Sequence, residues 1–70
     1  MPEIMSLAHL PEGATPPVSI APGAQVVVTV AAGKIVYVAA DRGRCIAYGG
    51  GETFIIDRAN ADKLASAGLV

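Results

Sequence analysis

The chain has 70 residues, with five Lys+Arg against six Asp+Glu and a formal charge of −1. One domain is the most this length supports, and a balance this close to neutral gives no electrostatic footprint for nucleic acid. Cys45 is the only cysteine and His9 the only histidine, which excludes an internal disulfide and a four-ligand Cys/His zinc site.

Apolar residues make up 53% of the chain and charged residues 16%, against about 25% charged in an ordinary globular domain. A domain of this size buries only about 60% of its unfolded surface. So little charge on so small a core points to a subunit of a larger assembly. The aromatic residues Tyr37, Tyr48 and Phe54 are too few for a base-stacking platform. No positively charged segment precedes an apolar run at the N-terminus, so no secretory signal is expected. The longest apolar stretch, residues 26–40, is broken by Thr29, Gly33 and Lys34 and falls short of the roughly 20 residues of a membrane helix.

Residues 1–17 read as an extended, Pro-rich arm. Pro2, Pro11, Pro16 and Pro17 fix φ and remove amide donors, which rules out a long helix or a central strand. Ile4, Met5, Leu7 and Leu10 give the arm four large apolar side chains, suited to lying along a neighbouring subunit.

Residues 18–70 read as one small β domain. A short strand over 18–20 meets the turn signal Ala21-Pro22-Gly23. Residues 25–30 and 34–40 alternate as strands around a tight connection at Gly33, and both are apolar on two faces. Asp41-Arg42-Gly43 has the composition of a three-residue hairpin loop, a type I turn ending in a left-handed glycine. Residues 44–48 and 53–56 continue the set across Gly49-Gly50-Gly51. At Asp57 the pattern changes: a good N-cap precedes a short helix over 58–67, with Ala61, Leu64, Ala65 and Gly68 on one face and Gly68 as the stop. The expected fold is therefore mainly β, a small antiparallel sheet or barrel with the N-terminal arm and one short C-terminal helix.

Chemistry-bearing motifs are weak. Gly33-Lys34 is followed by Ile35 where a phosphate loop needs Ser or Thr. The triglycine lacks the third glycine of a dinucleotide fingerprint, Phe54 standing in its place. Cys45 lies near Arg42 and Arg44, but strand alternation sends Arg44 to the opposite face, so Cys45 reads as a small buried thiol. Asp41 and Asp57 are explained by a turn and a cap. No nucleophile–base or metal constellation is visible, so no catalytic residue, cofactor, metal or small-molecule substrate is expected. The candidate interface residues are Ile4, Met5, Leu7, Leu10, Arg42 and Arg44, the two arginines being suited to carboxylates.

Residues 51–70, a strand with an acidic cap, an Ala/Leu helix and a final Gly-Leu-Val, resemble the C-terminal ending of small tailed-phage structural proteins. Residues 28–38 are similar to the β-hairpins of small virion components. The resemblance implies a non-enzymatic virion protein. Its leading form is a capsid decoration (cement) protein, a homotrimer on the capsid exterior that bridges subunits of the major capsid protein and is assembled in the bacterial host cytoplasm. A small head–tail connector or tail component is the alternative under the same resemblance. A bacterial β binding module that presents the Arg42–Arg44 hairpin to an acidic ligand is the alternative outside it.

Overall fold

A computed structural model describes residues 1–70. The elements in chain order are β1 (Glu3–Ser6), a 3-10 turn (Leu7–His9), β2 (Gln25–Thr29), β3 (Ile35–Ala40), β4 (Arg44–Gly49), β5 (Thr53–Asp57) and α1 (Arg58–Ser66). They form two small antiparallel sheets, β1-β4-β3 and β2-β5. The fold is mainly β with one short C-terminal helix, as the sequence suggests.

The pairing differs from a simple meander. β2 and β3 do not pair with each other; β2 pairs with β5 and β3 with β4. Residues 25–40 and 44–57 are the two arms of one long hairpin folded over on itself. Register is constant within each half and shifts by two residues across the fold, from Thr29↔Thr53 to Ile35↔Gly49. The bend consumes residues 31–34 on one arm and Gly50 and Gly51 on the other, where backbone bonds link Lys34 N–H to Ala31 C=O (3.1 Å) and Gly51 N–H to Val30 C=O (2.9 Å). The two bends press together. A Cβ on Gly50 would stand 3.0 Å from the Gly33 nitrogen and 3.1 Å from the Ala31 oxygen. The triglycine is thus a close backbone approach and more than a flexible reversal.

Folding the hairpin brings apolar faces together. Val36 and Val38 from one sheet meet Phe54 and Ile56 from the other and Val30, which follows β2, and Ala61 and Leu64 of α1 complete the cluster. Tyr48 of β4 stacks on Phe54 of β5. α1 begins where the Asp57 carboxylate accepts from the Asn60 N–H at 3.0 Å. It ends at Ser66, capped by Ala67, and Gly68 (φ 75°) turns the chain so that Leu69 N–H donates to Leu64 C=O at 3.0 Å. The tail then docks on the bend through Ala31 N–H to Leu69 C=O at 2.8 Å.

The arm is corrected by the structure. Glu3–Ser6 is a strand on this chain's own sheet, with Ile4 opposite Ile46 and Met5 opposite Cys45. It sits at the edge, as the flanking prolines require. The expected strand over 18–20 reduces to one parallel bridge, Val18↔Val38. Residues 7–17 connect the two edges of the sheet, from Leu7 N–H on Gly43 C=O (2.8 Å) to Val18 N–H on Tyr37 C=O (2.9 Å). One face of that sheet is the shared core, so this connection crosses the other. There Tyr37 and Cys45 are buried, at 5% and 0% exposure, and Leu10, Ala14 and Pro17 are half-buried. The two-sided apolarity of residues 36–39 is thereby satisfied within one chain, while Ile35 stays 49% exposed. That of residues 25–30 is not, because Val27 remains 67% exposed.

Candidate functional site

Alternation along β1, β3 and β4 decides which side chains meet. Ile4, Ala40, Arg44 and Ile46 share the face that carries Val36 and Val38, beyond the end of the core. With Asp41 and Arg42 from the hairpin loop they line an open groove of about 370 Å³. Three of the six candidate interface residues, Ile4, Arg42 and Arg44, therefore come together. The other three do not. Met5 lies half-buried on the opposite face beside Cys45, Leu7 is in the 3-10 turn and Leu10 is half-buried in the crossing segment.

The loop that positions the arginines differs from a type I turn with a terminal glycine in its backbone angles. Arg42 (φ 62°) and Gly43 (φ 69°) both have positive φ, the pattern of a type I′ turn, and Arg44 N–H donates to Asp41 C=O at 3.3 Å. Arg42 is the one non-glycine residue with positive φ, a conformation that costs an L side chain about 1–2 kcal/mol. Neither arginine is in an ion pair; the only one in the chain joins the Met1 ammonium to Glu52. That ammonium and the Gly49 N–H hold the Glu52 carboxyl below its ordinary range.

A second surface carries none of the six candidate interface residues, although the two-sided apolarity of residues 25–30 points to association there. On the β2–β5 ribbon, Val27 stands directly opposite Ile55, and the two are 67% and 57% exposed. Neither β2 nor β5 has another strand beside it, so both ribbon edges present unpaired backbone groups. The signal in the sequence was present: Val27 and Ile55 fall on the faces opposite Val26, Val28, Phe54 and Ile56, where a solvated ribbon carries polar residues.

Asp57 is a structural centre. Its carboxylate accepts from Ala21 N–H at 2.9 Å, Asn60 N–H at 3.0 Å and Asn60 Nδ2 at 2.8 Å. Asn60 Nδ2 also donates to Ser19 C=O at 2.7 Å, and Arg58 N–H to Ala24 C=O at 2.9 Å. These donors, the backbone N–H of Ala21 foremost, lower the Asp57 pKa to about 2. The same contacts fasten residues 19–24 to the start of α1. Cys45 is a buried free thiol, as expected. No helix is long and apolar enough to cross a membrane.

Compared with known proteins, the chain matches no family, no curated protein and no solved structure.

Proposed function

We propose that this chain is a non-enzymatic structural subunit that works by association, through the outer face and edges of the β2–β5 ribbon. The observation that carries this reading is the Val27–Ile55 pair, exposed on a ribbon with no neighbour at either edge. Apolar side chains beside unpaired strand edges favour addition of another strand, where main-chain bonds supply affinity and the side-chain row supplies specificity. A 70-residue core gains from such burial, since small domains commonly depend on partners for stability. The particular assembly follows from the resemblance of residues 28–38 and 51–70 to phage structural proteins. On that basis the subunit is a decoration protein on the capsid exterior, an oligomer bridging copies of the major capsid protein, with many modest contacts adding over a lattice.

Quantitative mass spectrometry on purified particles of the virus that encodes the chain tests the assignment. Recovery in many copies, detachable while the shell stays intact, is the expected result. A few copies per particle would place it at the head–tail junction instead. Absence from particles would overturn the virion reading.

A further inference from the structure

We propose that the groove lined by Ile4, Ala40, Arg42, Arg44 and Ile46 is a second binding site, which takes an extended segment of a partner protein carrying a carboxylate beside an aliphatic side chain. This site is separate from the ribbon face, and neither surface needs the other.

Charge and apolarity sit side by side here. Arg42 and Arg44 line the groove without an acidic partner. Asp41, also at the rim, makes no ion pair with either and leaves the site with a formal charge of +1. Unpaired guanidinium groups with planar donor forks match carboxylates in bidentate geometry. The floor is aliphatic: Ile46 is half-buried, and Ile4, its partner across the strands, is 65% exposed. A carboxylate bound at the Arg44 end would therefore place its attached chain on Ile4 and Ile46.

Arg42 adds an argument from strain. It occupies a positive-φ position in a tight turn that glycine or asparagine would adopt at lower cost. The strained backbone places the Arg42 side chain at the rim of the groove, and strained positions of this kind cluster at functional sites.

The openness of the groove selects the kind of occupant. Sites for small molecules enclose about 70–90% of the ligand surface, whereas this groove is open to solvent along its length. A protein segment running across it has contacts beyond it; a free small acid does not.

Titration of the full-length chain with a capped five-residue peptide of alternating leucine and glutamate, followed by NMR of the isoleucine and valine methyls and arginine side chains, tests the proposal. Saturable shifts at Ile4, Ile46 and Arg44 are expected. Binding should weaken by about tenfold or more in Arg44→Gln, in Arg42→Asn (which suits the turn), and with a glutamine-for-glutamate peptide. Equal binding of the glutamine peptide, shifts centred on Val27 and Ile55, or no shifts at millimolar peptide would overturn it. Hexanoate binding as tightly as the peptide would also overturn it, because the ligand would then be a free carboxylate. Light scattering on the same samples reads association through the ribbon independently.

Discussion

The rings of Tyr48 and Phe54 stack with centroids 4.6 Å apart and 20° between their planes, and they belong to different sheets. This contact joins the two layers of the folded hairpin beside the bend, where Gly50 lets the backbones of both arms touch. The pair is worth about 0.5–1.5 kcal/mol beyond its area, and Phe54 is also part of the central cluster. Phe54→Ala should therefore cost about 3–5 kcal/mol, close to the whole stability of a domain at roughly 0.05–0.15 kcal/mol per residue. Urea denaturation should show the variant largely unfolded in buffer. Tyr48→Phe keeps the ring and should change stability by less than about 1.5 kcal/mol.

Gly50→Ala should destabilise by about 1–3 kcal/mol, because its Cβ meets backbone atoms that cannot rotate away. At Gly13 the comparable substitution meets nothing within 4 Å and bears only the strain of its φ of 82°. Thermal melts of the two variants separate close approach from backbone conformation. A Gly50→Ala melt equal to the parent's would mean the bends are not in contact.

Asp57 should make the domain acid-sensitive. Its carboxyl is lowered from an ordinary 3.8 to about 2. A depressed acid stabilises the fold fully above the unfolded pKa, and the contribution is lost as pH falls through the folded value. Tm should therefore decline from about pH 4 towards pH 2. Glu52, lowered by the Met1 ammonium and the Gly49 N–H, acts in the same direction. Asp57→Asn removes one of the titrating groups and should flatten the decline. Asp57→Ala should lower Tm at neutral pH by several degrees through loss of the cap and of the tie to Ala21.

Deleting residues 1–14 should unfold or strongly destabilise the domain. Those residues include the edge strand on β4 and part of the segment crossing Tyr37 and Cys45. Reaction of the Cys45 thiol with an aromatic disulfide reagent is the readout: slow in the full chain, fast after truncation. A truncated chain that keeps a protected Cys45 and a parent-like melt would show the segment to be dispensable.

Much of the local structure could be read from residue types. Asp57 as a cap, Gly68 as a stop, strands near 25–30, 35–40, 44–48 and 53–56, and the burial of Cys45 follow from short-range rules. The pairing could not. Residues 25–30 are as apolar as 34–40, so nothing local says that the first should pair with residues 53–57, across the intervening hairpin. The edge strand Glu3–Ser6 was hidden because it is four residues long and follows Pro2. Its partner, β4, supplies the register that its own sequence does not. Of the groove, Ile4, Arg42 and Arg44 were visible singly; their meeting with Ile46 depends on that long-range pairing.

The most direct test of association through the ribbon is light scattering on the purified chain over a wide dilution series, alongside Val27→Lys. Val27 is 67% exposed, so the lysine is tolerated by the monomer while it places a charge on the apolar row and blunts the edge. The full chain should scatter as an oligomer that dissociates on dilution, and Val27→Lys should scatter as a folded monomer at every concentration. A parent chain that stays monomeric and soluble at high concentration, or a lysine variant that associates as the parent does, would contradict the account.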